Sequence, residues 1–295
     1  MGPTASGKSS LAVEVARRCA DVELVSVDSM QVYRGMDIGT AKPTAADRAE
    51  VPVHLLDLAD PSDEYSVADF QAAALATVAA IEDRGHRALL VGGTGLYLRA
   101  VVDGLDLPAQ WPDVKAELET EPDTAVLYRR LEEADPVAAA RMEPTNRRRV
   151  VRALEVVVGS GRPFSGFGAG LDAHPPTRFR LAGVWLPRPV VSGRITSRLR
   201  SMVDGGLVDE VRALAARPGG LSRTAGQALG YREVLRHLAG GCTLDEAVAE
   251  TVRRTRAFAR RQRMWFRRDP RVTWYGAAEN PVAVLPALLG DWGHP

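Results

Sequence analysis

Apolar and polar positions alternate along the chain in blocks that read as secondary structure. Val22 to Val27 is an apolar, valine-rich run that ends at Asp28. A run of that kind between polar segments predicts a strand buried on both faces. His54 to Leu58 predicts a second, shorter strand. Ser66 to Asp83 carries apolar residues at helical spacing, with Ser66 placed to cap the helix. Arg87 to Val91 predicts a third strand, followed by Gly92-Gly93-Thr94-Gly95. Alternating strands and helices predict an α/β fold, a parallel sheet flanked by helices. Ligands in such sheets bind beyond the carboxyl ends of the strands, where Asp28 and Thr94 fall.

The pattern changes after Gly104. Pro108 and Pro112 mark a linker, and from Asp113 to Val158 only short helical periods occur. Gly159 to Pro176 is rich in glycine and proline, and Arg178 to Leu186 reads as a strand returning to the sheet. Residues 113–172 are therefore expected to form a helical insertion in a core made of residues 1–112 and 173–295. The remainder is expected to be helical: Arg188 to Val203, Leu207 to Ala216, a segment near Gly226 to Leu238, and a long helix from Leu244 to Arg268.

Candidate chemistry begins at the first residues. Gly2-Pro3-Thr4-Ala5-Ser6-Gly7-Lys8-Ser9 is a complete G-x-x-x-x-G-K-[ST] phosphate loop, with a helical run from Ser10 to Arg18 behind it. Gly2 and Gly7 let successive N–H groups curl around an anion, the helix adds its positive end, Lys8 adds a full charge and Ser9 offers a hydroxyl to Mg²⁺. A phosphate or diphosphate ligand follows, but not which one. Such a loop normally leaves the end of a buried parallel strand, and only Met1 precedes Gly2. The expectation is that this strand is missing, that its neighbours lack ladder partners, and that the native start lies upstream.

Composition narrows the setting. A net charge of +1 gives no global signal for a polyanion. Cys19 and Cys242 stand far apart, which suggests a reducing compartment and excludes a four-cysteine zinc site. No apolar run is long enough to span a bilayer, so a cytoplasmic protein without a membrane partner is expected. Charge is instead local. Arg147, Arg148, Arg149 and Arg152 lie on a predicted helix of the insertion. Eight arginines between Arg253 and Arg268 stud the last long helix, interleaved with Phe258, Trp265 and Phe266. Arginine forks grip phosphates and aromatic rings stack on bases, so two such patches on a phosphate-loop protein point to nucleic acid.

Several groups stay open on residue chemistry alone. Asp28 at a strand end suits acid–base work, a helix cap or a Mg²⁺ partner. Gly92 to Gly95 could be close packing. Arg194 and Arg198 share a helix face and could meet an anion or pair with surface carboxylates. The 87–91 strand ends in glycine, so no strand ends in the usual second metal-binding aspartate of a kinase or ATPase. No guanine-reading N-K-x-D element is present either. A phosphate-loop kinase of a nucleoside or small metabolite remains the alternative enzyme.

The chain as a whole resembles the bacterial tRNA dimethylallyltransferase (tRNA isopentenyltransferase, IPP transferase) family. The resemblance is carried by GPTASGKS at 2–9, SVDSMQVYRGMDIGTAKP at 26–43, HLLD at 54–57, LLVGGTGLY at 89–97, RRVVRALEV at 148–156, ALGYRE at 228–233 and RRQRMWFR at 260–267. It implies transfer of a dimethylallyl group from dimethylallyl diphosphate to N6 of the adenosine at position 37 of tRNA, with Mg²⁺, by a monomer that recognises the anticodon stem-loop. It implies that Gly2 to Ser9 and Arg198 hold the diphosphate, with Ser9 on the metal, and that Lys8, Asp28 (as general base) and Thr94 form the catalytic set. It further implies tRNA contacts from Asp28, Ser29, Met30, Gln31, Thr94 and Lys115, from Arg148, Arg149, Val150, Val151 and Arg152, and from Gln227, Ala228, Leu229, Gly230, Tyr231 and Arg232. The zinc-finger extension of eukaryotic members has no counterpart in these residues.

Overall fold

The computed structural model describes residues 1–168, 170–171 and 173–293. The chain divides into two compact units, Met1–Val102 with Thr177–Pro295, and Asp103–Pro176. The second is ten residues longer at its start than the expected insertion; the expected end at residue 172, and the last residue, 295, lie outside the described residues.

The first unit opens with α1 (Lys8–Arg18), β1 (Val22–Val27), α2 (Ala45–Glu50), β2 (Val53–His54), α3 (Val67–Asp83), β3 (Arg87–Gly92) and α4 (Gly95–Val102). The strands run parallel in the order β2-β1-β3, with Val22 opposite Arg87 and Val27 opposite Gly92. All six residues of β1 are buried, as expected for a valine-rich strand covered on both faces, and Glu23 and Ser26 are buried with the rest. α3 starts at Ser66 through a capping box with Asp69, a feature worth about 1 kcal/mol. β2 is shorter than expected. Leu55 and Asp57 adopt left-handed backbone conformations, φ 63° and 59°, which end the strand. Asp57 then ion-pairs with buried Lys42 and with Arg48.

The second unit is helical, with α5 (Pro112–Glu119), α6 (Thr124–Ala134), α7 (Pro136–Ala140) and α8 (Arg147–Ser160). Leu118, Leu127, Leu131, Val150, Val151 and Leu154 form its core. The chain then returns to the first unit through β4 (Ala182–Trp185), α9 (Arg188–Asp204), α10 (Leu207–Ala215), α11 (Arg223–Gly226), α12 (Tyr231–Leu238), α13 (Leu244–Arg267), β5 (Thr273–Gly276) and α14 (Leu285–Asp291). β5 corrects the expectation that this part is entirely helical. It pairs in parallel with β4, Ala182 opposite Thr273. No described helix is long and apolar enough to cross a membrane.

The expected sheet is therefore in two pieces, three strands and two. Before the phosphate loop, Met1 alone takes a strand-like place. Its amine donates to Ala182 O at 2.6 Å and its carbonyl accepts the Val184 N–H at 2.9 Å. All of β3 except Gly92 is only half-buried, in keeping with β1 as its one strand neighbour.

At the amino end of β1, away from the loops that carry Asp28 and Thr94, Glu23 is buried beneath three basic side chains. Arg84 donates to both of its oxygens, and His54 Nε2 and His86 Nδ1 lie 2.6 and 2.8 Å away. Burial pushes the Glu23 carboxyl up, but these hydrogen bonds outweigh it and hold the group at about 2.

Candidate active site around the phosphate loop

Residues 2–9 form the loop that their spacing predicts. α1 begins at Lys8, with Gly7 as its cap in the left-handed region at φ 79°. A Cβ on Gly7 would also lie 2.2 Å from Pro281, so both backbone and packing demand glycine there. Ala5 holds a left-handed φ of 62°, a strain of roughly 1 kcal/mol for an alanine. Gly7, Lys8 and Ser9 begin a helix, so their N–H groups have no carbonyl one turn back and face outward for an anion. Pro3 and Ser6 are buried, Thr4 is half-buried, and Ser9 is exposed in the first helical turn.

Three charged groups converge on this loop. Burial holds the Lys8 ammonium below its ordinary value, at about 8; Asp28 pulls it up and Arg198 pushes it down. Arg198 reaches across from α9 and donates to Thr4 Oγ1 at 2.7 Å. Its guanidinium is likewise pushed down, first by burial, with Asp28 opposing and Arg194 adding to the fall. Arg194, one turn earlier, donates to Glu279 O. The two arginines thus act separately, and Arg198 is the one at the loop.

Asp28 and Thr94 sit at the carboxyl ends of adjacent parallel strands. Asp28 Oδ1 accepts the Met30 N–H at 2.9 Å, and Thr94 Oγ1 accepts the Ser29 N–H at 3.3 Å. These bonds fold residues 28–31 into a tight polar turn. Gln31 is fixed from both ends: Ser26 donates to its oxygen, and its amide donates to the carbonyls of Thr40 and Ala41. Lys42 closes the same loop from inside, donating to Tyr33 O, Asp37 and Asp57.

Two carboxylates absent from the expected set organise the 227–232 stretch. Glu210 accepts the N–H groups of Asp37, Ile38 and Gly39 and the hydroxyl of Tyr231. Glu233 accepts the Gly230 N–H and ion-pairs with Arg254. Burial and the Glu210 carboxylate push the Tyr231 phenol well up, so it stays a donor. Tyr231, Ala228 and Gly230 are buried and Leu229 half-buried, which leaves Gln227 and Arg232 facing solvent. No local pattern marks Glu210; its backbone partners lie more than 170 positions away in the chain, and Tyr231 lies 21 away.

In the inserted unit, the 148–152 stretch is split by its own helix. Val150 and Val151 point into the core. Arg152 ion-pairs with Glu155 and donates to Pro108 O and Ala109 O. Arg147 is spent on the carbonyls of residues 119, 121 and 122. Arg148 and Arg149 are exposed, as is Lys115 on α5. Of that stretch, two arginine side chains are therefore presented to a ligand.

Among the described residues no group of three His, Cys, Asp or Glu side chains is placed to hold a metal. Mg²⁺ keeps several waters and takes phosphate oxygens with one or two protein ligands, so a lone exposed serine hydroxyl at a phosphate loop fits it.

Fold and site define a phosphate-loop α/β protein whose anion cradle faces a strand-end carboxylate. Residues 31–269 match the family described as IPP transferase. The chain belongs to the IPP transferase family. A tRNA dimethylallyltransferase of Streptomyces avermitilis is 49% identical over 292 residues, 98% of this chain and 92% of that protein. One of Salinispora arenicola is 50% identical over 281 residues, 94% and 81% of the two chains. Among solved structures, the full-length tRNA isopentenylpyrophosphate transferase of Bacillus halodurans is similar, with a TM-score of 0.73 and 38% identity, covering 99% of this chain and 93% of that one. A eukaryotic dimethylallyltransferase acting on tRNA shares the fold, with a TM-score of 0.79 at 23% identity, over 100% of this chain and 79% of its own.

Proposed function

We propose that the chain transfers a dimethylallyl group from dimethylallyl diphosphate to N6 of the adenosine beside the anticodon of tRNA, releasing diphosphate. The observation that carries this reading is the convergence of Lys8, Arg198 and Asp28 on one phosphate loop, in a chain about half identical to tRNA dimethylallyltransferases.

The adenine amine is a weak nucleophile because its lone pair is delocalised into the ring, so the donor must be activated. Breaking the allylic C–O bond puts positive charge on the prenyl unit and negative charge on the leaving diphosphate. The N–H groups of Gly7, Lys8 and Ser9, the Lys8 ammonium and the Arg198 guanidinium meet that negative charge without reorganising. Ser9 would help to hold a Mg²⁺ ion at the loop, which would supply further Lewis-acid stabilisation of the leaving charge. As N6 attacks, its proton turns acidic and Asp28 takes it. Thr94 keeps the Asp28 turn in place through Ser29. β3 ends in glycine, without the carboxylate a kinase would use for its second metal contact, which disfavours ATP chemistry.

The target base has to leave its stack, at a cost of a few kcal/mol that is smallest in a single-stranded loop. Gln227 and Arg232 on the first unit, and Lys115, Arg148 and Arg149 on the second, offer exposed groups to the tRNA backbone. The test is direct. Protein, dimethylallyl diphosphate, Mg²⁺ and unmodified tRNA are incubated, and the digested nucleosides are weighed by mass spectrometry. One dimethylallyl unit replacing a hydrogen on adenosine is expected. Turnover of ATP on a small acceptor, with the tRNA unchanged, would instead identify a kinase.

A further inference from the structure

We propose that Gln262 is a positioning residue for the transfer reaction: its side-chain amide spans the phosphate loop and the Gly93–Thr94 turn and fixes the distance between them. This rests on the transfer reading above and adds a residue to it. Gln262 lies on α13 and is buried, 7% exposed. Its oxygen accepts the Thr4 N–H at 2.8 Å, and its nitrogen donates to Gly93 O at 2.7 Å. Thr4 N–H can only donate and Gly93 O can only accept, so the orientation of the amide is settled. One neighbour, Thr4, carries the hydroxyl that Arg198 grips, and the other precedes Thr94, which anchors the Asp28 turn. The amide therefore links the side of the site that holds the leaving group to the side that holds the base.

The surroundings are shaped for it. A Cβ on Gly93 would lie 2.7 Å from the Gln262 amide nitrogen, and one on Gly95 would lie 2.3 Å from Trp265 Nε1. The two glycines of the turn admit neighbouring side chains of one α13 face. A methionine of similar length would fill the same space without burying polar atoms, so packing alone does not call for an amide. The pair of bonds does.

Gln262→Met and Gln262→Glu in the full chain test the proposal, with folding checked by circular dichroism. Gln262→Met is expected to lower kcat about 100-fold, because small misplacements of reacting groups cost that much, while KM for tRNA stays within about threefold. Its affinity for inorganic diphosphate, read by calorimetry, is expected to fall about tenfold. Gln262→Glu adds a pH signature. The ionised carboxylate accepts from Thr4 but repels Gly93 O; the protonated acid can make both bonds. Its kcat relative to wild type at each pH should therefore climb as pH falls, whereas that of Gln262→Met should stay flat. Wild-type kcat and diphosphate affinity in Gln262→Met, or a flat ratio for Gln262→Glu, overturn the proposal. If Gln262→Met does not fold, the Gln262→Glu ratio decides. If wild-type protein itself transfers no prenyl group, the transfer reading falls, and the diphosphate measurement alone decides whether Gln262 sets the loop.

Discussion

Lys8 is the most informative single side chain, because its surroundings hold it at about 8 against an ordinary 10.5. A diphosphate seated beside it favours the charged form, so binding should draw in a proton above pH 8 and none well below it. Affinity for inorganic diphosphate should therefore drop as pH rises through 8, by at most about tenfold per unit. Calorimetry in two buffers of different ionisation enthalpy measures the uptake, and Lys8→Arg, charged throughout, should abolish the excess over the ligand's own titration. Asp28 has a different signature. Asp28→Ala should lower turnover by about 100- to 10,000-fold while tRNA affinity moves far less. Equal losses in single-turnover rate and in tRNA binding would make Asp28 a binding residue instead.

At the scale of elements, short-range patterns are legible in the sequence and long-range pairings are not. The loop at 2–9, the buried β1, the capped α3 and the turn after β3 are each announced by residues within a few positions of one another. That is why Asp28 and Thr94 could be placed at strand ends from sequence. β5 is hard to read from sequence because it has only four residues, the last of them glycine, close behind a long helix, although Thr273, Trp274 and Tyr275 are good strand formers. Glu210 and Gln262 are harder to read from sequence, because their roles depend on partners that only the fold brings near, even though Gln262 lies inside the 260–267 motif. Glu233, which ends the 228–233 motif, is marked locally by its bond to the Gly230 N–H three positions back, and its ion pair with Arg254 comes from the fold. The 148–152 stretch shows the converse, since a contiguous motif hides alternate burial on a helix. Close approach between elements gives the prediction at this scale. A Cβ on Gly39 would lie 2.4 Å from the Tyr231 ring. Gly39→Ala should therefore cost about 1–3 kcal/mol in denaturant unfolding and weaken tRNA binding by shifting the 28–41 loop.

For the whole molecule, charge is arranged by region rather than by total. Net charge is +1, yet Lys115, Arg148 and Arg149 lie exposed on the inserted unit. If Arg149 meets a phosphate, Arg149→Ala should weaken tRNA binding, leave donor affinity unchanged, and reduce the slope of log Kd against log salt by about one unit. A donor Kd that rises in parallel would reject this division of labour. One contribution to acid stability lies at the other end of β1. Glu23 is held at about 2 against an ordinary 4.5, so its contribution is complete above 4.5 and lost as pH falls from there towards 2. Glu23→Gln should be less stable than wild type at neutral pH, and its melting temperature should change less across that acid window.

The bond between Thr4 and Gln262 closes a span of 258 positions. During synthesis Thr4 therefore leaves the ribosome long before the side chain that accepts its N–H. A nascent chain halted before α13 carries every residue of the phosphate motif and still lacks a finished pocket. The bond from the loop to α13 therefore forms only after residues 103–176 of the inserted unit have already been made.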